Sequence, residues 1–302
     1  MGVINTGAIA KALWPGVNKF FGMGYNEFPA EWPDLFDTEP STKAYEEDVL
    51  VPGFGLPTIK PQGSPITYDG HQQSWVARYT HVTWATGFII TREAMEDNQY
   101  EKLAFQRAKA IGFSMRQGKE INAANIFNRG WTAGYVGGDA VVLFATTHPS
   151  QAGNWSNMLS PAADLSEQSI EDLVIQVYGA TDDKGNIISL TPVSLHVHRN
   201  DWFEAHRVLK SVKQSGTANN DTNVLRDLSV FPQGIKMNHY FTDTDAFFIK
   251  TSAQNGTKHM QRRKVEVAKD NDFDTENLKH KATERYVFGW TDPRKWYGSQ
   301  GA

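Results

Sequence analysis

The chain holds no cysteine among its 302 residues, which removes disulfides, thiolate metal sites and cysteine nucleophiles together. That absence fits folding in a reducing cytoplasm. No stretch approaches the ~18 uninterrupted apolar residues of a membrane span. The N-terminus, MGVINTGAIAKALWPGVNKFFGMG, is broken at Trp14-Pro15-Gly16 before it builds an apolar run of signal-peptide length. No membrane partner is therefore expected, and N-x-S/T triplets such as Asn154-Trp155-Ser156 read as chance matches. There is no internal repeat and no low-complexity tract. A dominant charge is lacking too. With 30 Lys+Arg against 34 Asp+Glu and a net charge of −4, the surface as a whole is not built to bind nucleic acid.

What is present is a foldable composition. Hydrophobic residues make up 40% and charged residues 21%, enough for a sizeable core in one large or two ordinary domains. Nine Trp and seventeen Phe are many for this length and suit both a core and extensive subunit contacts. Several sit in residues 1–44, which lack sustained periodicity: Trp14, Phe20, Phe21, Tyr25, Phe28, Trp32 and Phe36. Two readings stand level: an arm packed on its own core, or an arm buried against neighbouring subunits, since exposed apolar surface invites association.

Residues 45–51 suit a strand. Pro52, Gly53, Gly55, Pro57, Pro61, Gly63 and Pro65 then punctuate a turn-rich connection, and β-formers return over residues 66–90. This predicts a long two-stranded excursion, which is marginal in water without a partner surface. Asn98 and Glu101 stand in capping-box spacing. Tyr100, Ala104, Ala108, Ile111 and Met115 follow as an apolar stripe at helical spacing. A helix to about Asn128 would be roughly 45 Å long. Gly112 and Gly118 weaken it by about 1 kcal/mol each relative to Ala, and Gly130 is a natural stop. Further on, the pattern predicts a helix from Asp164 or Ser166 to Tyr178, a strand at 193–197, a helix at 201–209, a polar loop at 215–223, and strands at 234–237, 246–250 and 263–267. The class is α+β.

No catalytic constellation emerges. His196 and His198 are two apart on a strand and share a face, but no third zinc ligand stands nearby; two partly buried polar residues is the favoured reading. Asp270, Asp272 and Asp274 begin like a calcium loop, yet Thr275 stands where Gly is needed and Lys281 where a bidentate Glu is needed. Gly112…Gly118-Lys119-Glu120 is one residue too long for a phosphate loop, and Glu120 replaces the metal-binding hydroxyl. Asp243 and Asp245 could pair as acid and base in a soluble αβ hydrolase, although a turn is the better reading of Asp-Thr-Asp. Lys258, His259, Arg262, Arg263 and Lys264 form the clearest basic run, but on a strand alternate residues face opposite sides. No cofactor is implied.

One ordered set of residues does carry a likeness. A long helix ends near Asn125 and Asn128. Gly138-Asp139, Leu143-Phe144, His148-Pro149 and Gly153…Asn157 follow, and the tail brings Arg285-Tyr286, Phe288-Gly289-Trp290, Arg294 and Tyr297-Gly298. This order resembles the major capsid (head) proteins of tailed bacteriophages, especially the Mu-like major head subunit type, over about residues 45–298. The resemblance implies the Hong Kong 97 capsid fold. Its N-terminal arm would be residues 1–44, its extended β-hairpin loop 45–85, and its peripheral domain 86–159 with a spine helix at 98–128. The axial domain would be 160–245, and the C-terminal strands 246–302 would return to the peripheral domain. It implies a structural protein of the virion, assembled in the host bacterial cytoplasm from pentameric and hexameric capsomers. A portal protein and packaged double-stranded DNA, held by non-specific contact, would be its partners. With no room for an internal scaffolding segment before the arm, a separate scaffolding protein, or none, is expected. Trp14, Phe20, Phe21 and Trp32 would anchor the arm on neighbours, and Lys60 lies near the hairpin tip. A cellular nanocompartment shell of the same fold is the nearer alternative, and the hydrolase using Asp243 and Asp245 the one from another class.

Overall fold

The structure is a computed structural model and describes residues 18–70, 73–93, 100–213, 222–272 and 274–302. In chain order the helices are α1 (18–25), α2 (Trp32–Leu35), α3 (Tyr100–Asn128), α4 (Glu167–Tyr178), α5 (Trp202–Lys210) and α6 (Val224–Asp227). The strands are β1 (Asp37–Pro40), β2 (Tyr45–Val49), β3 (Val76–Thr80), β4 (Val82–Ile90), β5 (Pro192–His198), β6 (Ile235–Asn238), β7 (Phe247–Thr251), β8 (Thr257–Asn271), β9 (Leu278–Trp290) and β10 (Trp296–Ser299). The chain divides into two compact units.

The first unit comprises residues 1–44, 80–123 and 259–287. Its sheet has the order β1-β8-β9-β4, and β4 runs antiparallel to β9 from Val82↔Tyr286 to Ile90↔Leu278. The apolar stripe of α3 packs there: Ala104, Ala108 and Met115 are buried with Phe21, Ile90 and Ala282, flanked by Phe20, Phe105 and Ile111. α1 lies against α3 closely enough that glycine is required on both sides. A β-carbon on Gly112 would stand 2.3 Å from the carbonyl oxygen of Phe21, and one on Gly24 would stand 2.0 Å from that of Lys109. Gly112 thus costs helix propensity but admits a neighbouring backbone.

The second unit comprises residues 45–79, 124–258 and 288–302. Its four-stranded sheet has the order β10-β7-β5-β6. β5 and β6 are parallel and β5 and β7 antiparallel; the parallel pair needs a crossover, which α5 and α6 supply. Leu195, Val197, Phe247 and Ile249 from the sheet are buried with Ile170, Leu173 and Val177 of α4 and Ala205 and Val208 of α5. Ser166 caps α4 in a reciprocal box with Ser169.

The excursion at 45–85 is shorter as a sheet than its composition suggests. β2 and β3 pair over five residues each, residues 50–70 carry no strand, and β4 joins the first unit's sheet. Pro52, Pro57, Pro61 and Pro65 interrupt the donors a ladder would need. Expected helix residues 98 and 99 lie outside the described residues.

Candidate assembly surfaces

The connection between β2 and β3 is fixed at its base and again across Gly55 and Asp69, and open beyond. At the base, the Tyr79 hydroxyl and Thr291 Oγ1 are 2.6 Å apart, and Thr291 Oγ1 donates to Asp48 Oδ2 at 2.7 Å. Lys258 pairs with that same carboxylate at 2.7 Å, while Trp75 Nε1 donates to the Thr291 carbonyl at 3.0 Å. Farther along the loop, Asp69 Oδ2 accepts from the Gly55 amide at 2.6 Å, and Lys184 Nζ reaches Asp69 Oδ1 at 3.4 Å. Asn186 Nδ2 donates to the Phe54 carbonyl at 3.3 Å. The Gly55 amide holds the Asp69 carboxyl below its usual range. Beyond this second anchor, toward the turn at 61–64, the side chains face solvent: Ile59 is 96% exposed, Tyr68 85% and Leu56 77%. So much apolar surface along one loop is the mark of an interaction site. Lys60 is exposed on this loop.

The described part of the aromatic arm is placed differently. Phe21 is buried, Phe20 stacks on Phe105 at 4.7 Å, and Trp32 lies 4.4 Å from the His259 ring. All three contact the chain's own first unit, Phe21 buried there and Phe20 and Trp32 half-buried. Trp14 lies outside the described residues.

Beneath that arm is a buried polar group that no sequence motif announced. The apolar stripe of α3 continues on the same face into Lys119 and Glu120, 2% and 3% exposed. Lys119 Nζ pairs with Glu284 Oε1 on β9 at 2.6 Å and sits 4.8 Å over the Trp32 ring and 4.9 Å over Tyr286. Glu120 Oε2 accepts the Trp32 amide at 2.8 Å, its Oε1 accepts the Glu31 amide at 3.3 Å, and Arg116 pairs with it at 3.2 Å. It thereby satisfies amides at the start of α2 that have no helical partner. Burial pushes the Lys119 ammonium down and the Glu120 carboxyl up, and lifts the Tyr25 hydroxyl, which donates to Glu284, to about 12. The only trace of this in sequence is Lys119-Glu120 falling in phase with the stripe.

The ordered residues behind the family likeness form the second unit's own polar knot. His148 is fully buried, with Nδ1 2.7 Å from Asp139 Oδ2 and Nε2 3.1 Å from Asn157 Oδ1. Asn157 accepts from the Ala145 amide at 2.9 Å and donates to the carbonyls of Leu143 at 2.8 Å and Trp296 at 3.1 Å. Asn128 donates to the Tyr240 carbonyl and accepts from the Thr242 amide, both at 3.1 Å. Leu143 and Phe144 are buried, the latter stacked on Trp131 and Phe248. Arg294, buried at the tail, pairs with Asp183 at 3.0 Å and covers Trp155. These residues are spent on holding irregular backbone, where buried polar groups require partners.

The chemical alternatives take structural form. Asp243 Oδ1 accepts the Asp245 amide at 3.3 Å, the geometry of a turn. His196 is buried beside Ser194 and Trp296, and burial pushes it down to about 3. Asp272 pairs with Lys279 at 2.6 Å. Among the described residues no group of three His, Asp or Glu side chains is placed to hold a metal ion, and no helix is long and apolar enough to cross a membrane.

No curated protein sequence matches the chain. Solved structures do. The capsid of an empty GTA particle superposes with a TM-score of 0.58 at 12% identity, covering 90% of each chain. A virus-like particle from Pyrococcus furiosus gives 0.54 at 8% identity, over 94% of this chain and 98% of that one. Mycobacterium phage Che8 gives 0.52 at 13%, over 91% and 93%. At such identities the likeness establishes the Hong Kong 97 fold. The profile of the family described as "Phage capsid protein" matches residues 75–299, from the base of the exposed loop through the His148 knot to the last strand. The chain therefore belongs to the phage capsid protein family, and it is a major capsid protein, a structural subunit of the virion's head shell.

Proposed function

We propose that the chain is a Mu-like major head subunit whose copies associate head-to-tail into rings of five and six that tile a closed shell. Heterologous contacts close into rings when their rotation closes, and many modest contacts per subunit give the shell its stability. A separate scaffolding protein guides assembly, a portal protein occupies one vertex, and packaged double-stranded DNA is held without sequence reading. The observation that carries this reading is the loop at 50–70, anchored at its base and across Gly55 and Asp69, with Leu56, Ile59 and Tyr68 beyond held out to solvent. Those side chains, with Lys60 beside them, lie on an adjacent subunit. In this assignment residues 98–128 are the spine and residues 160–245 gather around the symmetry axes.

The test is expression of the chain and of a Leu56→Ser/Ile59→Ser/Tyr68→Ser variant, followed by sedimentation and electron microscopy. Wild type forms closed particles, and the variant stays folded but sediments as small species. A wild type that stays monomeric at high concentration while folded overturns the proposal. Particles formed normally by the variant overturn the role of the loop.

A further inference from the structure

Helix α5 carries opposite surfaces at its two ends. Its N-terminal end is acidic with one protruding ring. Asp201 is the N-cap and makes no side-chain capping bond, and Phe203 in the first turn is 71% exposed. Burial, then repulsion from Asp245, Asp164, Glu204 and Asp243, pushes the Asp201 carboxyl up to about 6. Of these five carboxylates, Glu204 alone has an ion-pair partner among the described residues, Arg207 at 2.8 Å. That repulsion costs free energy until a cation approaches.

The C-terminal end is the complement. A groove of about 520 Å³ opens there, lined by Leu209, Leu225, Phe231 and Pro232 with Lys210 and Arg226, and among the described residues no carboxylate lines it. Neither Lys210 nor Arg226 has an ion-pair partner among the described residues. Val224 of α6 and its C-cap Leu228 are also exposed, at 53% and 69%.

Asp201 and Lys210 are nine residues apart on one straight helix, about 13 Å at 1.5 Å per residue, so the two ends cannot meet within a copy. We propose that they meet between copies: Phe203 of one subunit seats in the α5–α6 groove of the next, with Asp201 and Glu204 facing that subunit's Lys210 and Arg226. The contact is heterologous, the kind that propagates around a ring. It pairs an aromatic anchor with an apolar pocket and a charged rim, as interface hot spots do, and its charges fix the register. This inference deepens the shell reading and rests on it.

The experiment compares wild type with three variants: Phe203→Asp, Lys210→Glu/Arg226→Glu, and a swap joining Lys210→Glu/Arg226→Glu to Asp201→Lys/Glu204→Lys. Circular dichroism and thermal melts check that each is folded, and sedimentation reads the threshold concentration for rings and particles. The first two variants raise that threshold by about tenfold or more, equivalent to at least ~1.4 kcal/mol per contact, and the swap restores it. If wild type does not assemble, the shell reading fails and takes this inference with it. If wild type assembles and either surface variant does so at the same threshold, the plug and socket alone is overturned. A folded swap variant that fails to regain assembly overturns the charge pairing, and a groove variant that fails while Phe203→Asp assembles assigns the groove to another occupant.

Discussion

Lys119 Nζ lies 2.6 Å from Glu284 Oε1, with the two side chains 3% and 1% exposed. A spine-helix cation and a strand carboxylate are thus locked together under the ring of Trp32. Gln261 adds a second donor to the same oxygen at 3.1 Å. A buried pair of this kind contributes little net stability over an apolar replacement, but losing one partner strands the other charge.

That asymmetry is measurable. Lys119→Met should lower unfolding stability by about 3–5 kcal/mol in urea titrations, because Glu284 is left buried and uncompensated. Lys119→Met with Glu284→Gln should regain most of the loss. Equal losses in the single and double variants would show that the pairing is not what holds the site.

Two glycines on α3 should respond with opposite sign to the same substitution. At Gly118 a β-carbon meets nothing within 4 Å, so Gly118→Ala should stabilise by up to about 1 kcal/mol through helix propensity. At Gly112 the β-carbon meets the Phe21 carbonyl at 2.3 Å. Gly112→Ala should therefore destabilise and expose Phe21, read as a lowered midpoint and faster proteolysis near residue 21. A stabilising Gly112→Ala would contradict the packing of α1.

Stability should fall on mild acidification. Burial pushes His196 and His259 down to about 3, against a usual 6.5. An unfolded chain therefore takes up protons that the native one refuses between these values. Their contribution is complete above about pH 6.5 and is lost as pH drops toward 3, at up to about 1 kcal/mol per pH unit for each ring. Urea midpoints at pH 7, 5.5 and 4.5 check this. His196→Gln should flatten the slope, and an unchanged slope would remove His196 as a source.

Asn157→Ala removes an acceptor of the Ala145 amide and a donor to two carbonyls, beside His148. A loss of about 2–4 kcal/mol is expected from several buried groups left unpaired. Thermal melts should show it, with amide exchange rising first at 143–148. A loss under about 1 kcal/mol would mean that the knot relaxes without Asn157.

The family likeness was legible as an order of residues, and the structure supplies its physical content. Asp139, His148 and Asn157, spaced along the chain, converge on one buried point. The long helix was equally legible, since Ala104, Ala108 and Met115 repeat at its period. The arm was not. Phe20, Phe21 and Trp32 look alike whether they cover a neighbour or their own helix, and composition does not distinguish the two destinations. Gly112 read as a weakness because its use lies on another segment.

The sequence by itself determined the long helix, most other elements, the cysteine-free α+β class and the family, because periodicity, turn residues and motif order are local properties that survive without coordinates. Only the tertiary structure decided that Lys119 and Glu120 are interior, that Phe20, Phe21 and Trp32 contact their own chain, and that the loop at 50–70 stays uncovered. Burial and charge pairing belong to residues far apart in the chain, Lys119 and Glu284 among them, and no local pattern records which distant partner arrives.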